Sequence, residues 1–170
     1  MPSPAPTALV RAATLDDAVA IAEIYNREVT SSTATFDLVA RTLDEQRAWL
    51  EARTGAFTAL VAVEPGTDRV LGFAALSPYK ERAAYRTTVE DSVYVDRDHG
   101  RRGIGRLLLQ RMITVARDSG FHTVMARIEA SGTASLALHE SCGFELVGVE
   151  REVGRKFNRW LDVAVLQRLL

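Results

Sequence analysis

The residues best suited to chemistry lie in one polar segment, residues 96–106, which reads Asp-Arg-Asp-His-Gly-Arg-Arg-Gly-Ile-Gly-Arg. Its glycines allow backbone N–H groups to crowd toward an anion, and a helix that begins at its end adds about half a positive charge. The loop proper consists of Gly100, Arg101, Arg102, Gly103, Ile104, Gly105 and Arg106. This composition predicts a phosphate-binding loop, for which a solvated basic turn before an ordinary helix is the alternative.

Two familiar phosphate motifs do not match this segment. It lacks the Gly-Lys-Ser/Thr ending of a nucleotide P-loop, and it lacks the third glycine and the early chain position of a Rossmann turn. The segment therefore predicts an anion site of another type.

Two neighbouring carboxylates, Glu90 and Asp91, precede the loop. A carboxylate can act as a general base for an amine, because an α-amine with a pKa of about 8 is partly protonated at neutral pH. Neighbours on a strand point to opposite faces, so we expect one carboxylate to face the site and the other to be an exposed strand-end carboxylate. The period of the strand alone does not choose between them.

The strands and helices that must position these groups are predicted from the spacing of hydrophobic residues and from helix-capping motifs. Strands are predicted over residues 9–13, 57–63, 70–76, 89–95, 123–128, 144–153 and 161–169. Helices are predicted after Thr14, after the Thr42–Glu45 capping box, over 103–120 and over 135–142. The expected fold is α+β (α/β three-layer), a mixed sheet of about seven strands flanked by about four helices.

Length and composition favour a single domain. The chain has 170 residues, 47% of them hydrophobic, and a net charge of -1, so we expect neither nucleic acid nor a membrane as a partner. Residues 1–8 are rich in Pro, Ser and Ala and predict a flexible tail before a domain over 9–170. The single cysteine, Cys142, favours a reducing cytoplasm, and we expect no metal.

The glycine loop resembles the coenzyme A signature of the GNAT acetyltransferase superfamily, Gln/Arg-x-x-Gly-x-Gly/Ala, which Gly103 and Gly105 match. Gly100 departs from it, because the superfamily usually has Gln or Arg there. A more specific resemblance is to the branch of phosphinothricin and methionine sulfone/sulfoximine N-acetyltransferases. It is carried by residues 33–36, 78–86, 89–95, 135–144 and 151–163.

The resemblance implies the GNAT fold, in which strands four and five splay apart, with acetyl-CoA as cofactor and a homodimer as the assembly. Its cofactor contacts would come from the loop, from Ser135 and from the strand residues Val93, Tyr94 and Val95. A helix cap by Ser135 is also expected.

The same resemblance assigns Glu90 as the general base, directly or through water, which leaves Asp91 as the exposed strand-end carboxylate. It places His139 where the superfamily usually has a tyrosine that protonates the departing thiolate. An imidazole can donate that proton, and a half-buried structural histidine is an equal alternative.

An amino-acid-like acceptor carries a carboxylate, which a planar guanidinium recognises with two parallel hydrogen bonds. By resemblance the candidates are Arg82 and Arg86, with Tyr85 and Phe36 as pocket walls. The stretch 155–160 would complete the pocket near a partner chain, or form a basic hairpin tip. The expected function is acetylation of the α-amine of a small amino-acid-like acceptor by direct transfer from acetyl-CoA; a polyamine, aminoglycoside or protein acceptor and a non-catalytic acyl-CoA sensor are the alternatives.

Overall fold

A computed structural model describes residues 8–170, within which the chain forms seven strands and four α-helices. The elements in chain order are β1 (Leu9–Ala12), α1 (Ala18–Ser31), α2 (Leu43–Glu51), β2 (Leu60–Val63), β3 (Val70–Pro78), β4 (Thr88–Val95), α3 (Ile104–Asp118), β5 (Thr123–Glu129), α4 (Thr133–Ser141), β6 (Glu145–Lys156) and β7 (Arg159–Leu169). The predicted number and order of strands and helices are confirmed.

The helix ends follow local chemistry. At the start of α2 the Thr42 hydroxyl accepts from Glu45 N at 3.2 Å, and the Glu45 carboxylate accepts from Thr42 N at 2.8 Å. This confirms the predicted capping box. The expectation for Ser135 is wrong, because α4 already begins at Thr133 after Gly132, with no side-chain cap.

The sheet has the order β1-β2-β3-β4-β5-β7-β6, and β4 and β5 are its parallel pair. Their pairing covers Thr88 to Glu90 opposite Thr123 to Met125 and then stops. Since β4 continues to Val95 and β5 to Glu129, the two strands part beyond Glu90. The predicted splay between strands four and five is confirmed.

Each face of the sheet is covered by helices, which gives three layers. On one face Ala74 and Leu76 pack in the cluster that contains α3, and on the other Phe73 and Ala75 pack with α1. This alternation along β3 follows the two-residue period of a strand.

The predicted tail lies almost wholly outside the described residues. Its last residue, Ala8, is described and is 4% exposed in the α3-side core, so it belongs to the domain. Within residues 8–170 no helix is long and apolar enough to cross a membrane.

Candidate active site

A cavity of about 700 Å³ lies where β4 and β5 part. Residues from both parted strands, from the start of α4 and from the loop after α1 line it. Seven predicted site residues are among them: Phe36, Glu90, Val93, Tyr94, Val95, Ser135 and His139. The fold therefore brings the two catalytic candidates and part of the predicted cofactor and acceptor sets to one site.

Glu90 is the third residue of β4, at the point where the pairing of β4 with β5 ends. Its carboxylate accepts no hydrogen bond from any side chain or backbone group of residues 8–170. Burial raises its pKa, the charge of Arg127 opposes that shift, and Asp91 and Glu150 add to it. A desolvated carboxylate without a partner is well suited to accept a proton.

Asp91 is buried at 7% exposure, so the expectation that it is an exposed strand-end residue is wrong. It points to the opposite face from Glu90, where its Oδ2 lies 3.0 Å from His139 Nε2. Its other oxygen, Oδ1, is buried without a hydrogen-bond partner among the described residues. The two neighbouring carboxylates thus have different environments because the strand period sends them to different faces.

Both ring nitrogens of His139 contact acceptors, since Nδ1 lies 2.8 Å from the Ser135 carbonyl oxygen. Burial disfavours the charged ring, but the hydrogen bond and charge of Asp91, together with Ser135 O, outweigh it and raise the pKa of His139. A doubly protonated ring satisfies both contacts and leaves no N–H free. This geometry favours the structural interpretation of His139 over that of a thiolate acid.

The glycine loop, residues 100–106, comes after the part of β4 that lines the cavity. Gly103 has φ 78° and precedes α3, whose first intrahelical bond runs from Leu107 N to Gly103 O at 3.0 Å. The amides before Leu107 therefore lack acceptors within the helix. Arg101, Arg102 and Arg106 are exposed, whereas Ile104 is a core residue at 2% exposure and offers only its backbone.

Two of the loop glycines have further constraints. A Cβ at Gly105 would lie 3.1 Å from Leu138 Cδ2, so this glycine lets α3 approach α4 closely. The amide of Gly100 donates to Arg97 O at 3.3 Å, which engages it within the protein.

Three predicted acceptor residues lie away from the cavity. Arg82, Tyr85 and Arg86 are exposed in the β3–β4 loop, where Arg82 and Tyr85 line a separate recess. That loop packs on itself, with the Tyr79 and Tyr85 ring centroids 5.7 Å apart. The predicted acceptor set is therefore divided, and only Phe36 reaches the main cavity.

Several contacts around the cavity carry no local sequence signal. Arg97 forms two hydrogen bonds with Glu28, at 2.7 and 2.9 Å, across 69 residues. Lys156, placed by sequence in a basic tip, is 4% exposed and donates to Thr35 O at 2.8 Å. Such long-range pairs connect elements that are distant in sequence, so no local pattern could have revealed them.

The Phe36 ring lies directly on Gly154 of β6. A Cβ added at Gly154 would lie 2.7 Å from Phe36 Cδ2 and 2.9 Å from its Cζ, inside ordinary van der Waals contact. Gly154 therefore determines where the Phe36 ring sits at the cavity.

A family model described as an acetyltransferase (GNAT) domain matches residues 10–165. The chain is 43% identical over 159 residues to the L-amino acid N-acyltransferase MnaT of Escherichia coli (strain K12), covering 93% of this chain and 91% of that protein. It is 37% identical over 161 residues to the L-methionine sulfoximine/L-methionine sulfone acetyltransferase of Pseudomonas paraeruginosa, covering 95% and 94%. The solved structure of yncA from Salmonella typhimurium, with its cofactor acetyl-CoA, superposes with a TM-score of 0.91 at 39% identity, covering 96% of this chain and 94% of that one.

Proposed function

The chain belongs to the GNAT family of acetyltransferases, and we propose that it transfers an acetyl group from acetyl-CoA to the α-amine of a small amino-acid-like acceptor. One observation carries the proposal: the Glu90 carboxylate, desolvated and without a hydrogen-bond partner among residues 8–170, lies where β4 and β5 part. The transfer is direct, with both reactants bound at once.

The residues present fit the cofactor. Beyond Glu90 the β5-facing side of β4 has no strand partner among residues 8–170, so backbone groups of Val93, Tyr94 and Val95 are available to an amide-bearing ligand. The amides of the glycine loop and its exposed arginines suit a pyrophosphate. When bound, acetyl-CoA supplies an acetyl group activated as a thioester.

Glu90 acts as the general base. The acceptor amine attacks only when it is uncharged, and Glu90 removes its excess proton directly or through a water. Because burial raises the pKa of Glu90, its proton affinity lies closer to that of the amine than an exposed glutamate's would. His139 is a positioning residue, which holds α4 against β4 through Asp91.

An amino-acid-like acceptor agrees with the names of the relatives and with the charges in the cavity. Four carboxylates of residues 8–170 line it: Glu28 bonds to Arg97, Asp91 to His139, and Glu129 accepts from Thr33 and Ser131. Glu90 is the remaining one, and a single free carboxylate does not favour a polyamine or aminoglycoside over a zwitterion.

We also propose a homodimer built on β6 and β7. The edge strand β6, the adjoining turn and the start of β7 expose apolar side chains at 50–61%: Leu146, Val147, Val149, Val153, Phe157 and Trp160. Several exposed apolar side chains on one edge strand and its turn are typical of an interface. Sedimentation of Trp160→Arg, beside Val19→Arg on α1 as control, tests this: dissociation in the first variant alone is expected.

The experiment that tests the function measures free-thiol release from acetyl-CoA with methionine sulfone, methionine sulfoximine, phosphinothricin, spermidine and a peptide amine. Turnover confined to the amino-acid analogues, and lower in Glu90→Gln by about 10²- to 10⁴-fold, is expected. Turnover on spermidine or peptide would overturn the acceptor class. Acetyl-CoA binding without turnover on any amine would indicate a sensor instead of an enzyme.

A further inference from the structure

Two arginines line the cavity, and they differ in what holds them. Arg97 makes two hydrogen bonds to Glu28, whose side chain is 12% exposed, and it lies beyond the end of β4. Arg127 lies on β5, two residues past the Met125 that pairs with Glu90. The first arginine is therefore fixed near the cofactor loop, and the second lies near the proposed base.

Arg127 and Glu90 face the same side of the sheet. On β5 the neighbours Ala126 and Ile128 pack in the α3-side core, so Arg127 points to the opposite, α1 side. On β4 Tyr94 packs against the α1-side core, and Glu90, four residues earlier, shares its face. The two charged side chains therefore stand on either side of the parted strands and on one face.

The charge of Arg127 reaches Glu90, because it opposes the effect of burial on the pKa of that carboxyl. The amine and carboxylate of an α-amino acid are separated by one carbon, so a carboxylate site must lie close to the base that serves the amine. Within the described residues Arg127 meets this condition, whereas Arg82 and Arg86 lie on the β3–β4 loop outside the cavity.

A ligand carboxylate can readily replace Glu150, the present partner of Arg127. Its guanidinium bonds to Glu150 at 2.5 and 3.2 Å, but the two side chains are 35% and 41% exposed. Exposed ion pairs contribute about 1 kcal/mol or less to stability. A ligand carboxylate held in a recess therefore competes well with Glu150 for the Arg127 guanidinium.

We propose that Arg127 binds the α-carboxylate of the acceptor, taking it over from Glu150 and directing the α-amine to Glu90. This inference rests on the proposed function and makes Arg127 the residue that selects α-amino acids over simple amines. In this exchange the Arg127 guanidinium gives up its hydrogen bonds to the Glu150 carboxylate and donates hydrogen bonds to the acceptor carboxylate instead.

The test compares each acceptor with its uncharged α-carboxamide, using thiol release and calorimetric titration of the acceptor into the protein. In Arg127→Gln, KM and Kd for methionine sulfoximine rise by about 10- to 100-fold, the value expected for a lost hydrogen-bonded charge. Values for the carboxamide and for acetyl-CoA stay within about threefold. Glu150→Gln removes the same ion pair from its other side and leaves the acceptor KM within about threefold.

Equal losses for acid and carboxamide in Arg127→Gln would overturn the inference, because a structural defect does not distinguish them. A selective loss in Arg86→Gln with none in Arg127→Gln would also overturn it and return the carboxylate site to the loop. Wild-type protein that acetylates no amino acid would overturn the proposed function itself, before any variant is compared.

Discussion

Replacing Gly154 by alanine should impair acceptor use while leaving the cofactor site intact. Gly154 does not have a positive φ, so alanine suits its backbone and the perturbation is the clash with Phe36. Ordinary contacts begin at 3.4 Å, and the new Cβ would lie 2.7 Å from Phe36 Cδ2 and closer still to Cε2, so the ring must shift by about 1 Å or more. Misplacing a positioned group by about 1 Å can cost about 10²-fold in rate.

The stability cost of the same change is small, because Phe36 is 40% exposed and its ring can move into solvent. A loss of about 1 kcal/mol lowers the Tm of a domain of this size by roughly 2–4 °C. We therefore expect kcat/KM for the acceptor to fall by about 10- to 100-fold, with KM for acetyl-CoA unchanged and Tm little affected.

Steady-state thiol-release kinetics with each substrate varied in turn measures the effect. Gly148→Ala, in the same strand and with no atom within 4 Å of the new Cβ, is the matched control and should behave as wild type. In a Phe36→Ala background the Gly154→Ala change should have no further effect, since the clash is gone. Full acceptor kinetics in Gly154→Ala, or an effect that persists without Phe36, would refute the reasoning.

Three further predictions concern Glu90, His139 and Lys156. The acidic limb of the kcat/KM profile should lie above the ordinary glutamate pKa of 4.5, because burial raises the pKa of Glu90, and Glu90→Gln should lack that limb. His139→Leu leaves Asp91 buried without its partner and should cost about 3 to 5 kcal/mol in a denaturant titration. Because the folded pKa of His139 is raised above 6.5, the pair's contribution is complete below that pH and declines as pH rises through the folded value; a flat pH dependence would contradict the ion pair. Lys156→Met should speed hydrogen exchange in residues 33–36, since it removes the donor to Thr35 O, and unchanged exchange would show that this contact does not hold the loop.

The fold was largely readable from local pattern. The capping box at Thr42 acts over a few residues, so the chain near it suffices to predict it. The ends of elements were less predictable. The helix expected from Ser135 begins at Thr133, because its start depends on packing as well as on a cap.

Site residues were predictable where the family resemblance supplied an assignment that the two-residue period of a strand does not. Sequence alone left Glu90 and Asp91 equivalent, and only the packing of α4 shows that Asp91 is buried against His139. The arginines of the β3–β4 loop had the right chemistry for a carboxylate, yet the loop holds them outside the cavity.

The order of strands and helices, the glycine loop and the family resemblance could be read from the sequence, because they depend on periodicity, caps and short motifs within a few residues of chain. Which charged groups lack a partner depends instead on how the elements pack. The parting of β4 from β5 opens the cavity, the strand period sends neighbouring carboxylates to opposite faces, and β5 brings Arg127 to the same face as Glu90. The partner of a buried charged side chain is the group that packs against it in the folded protein, and the two residues are often far apart in the chain.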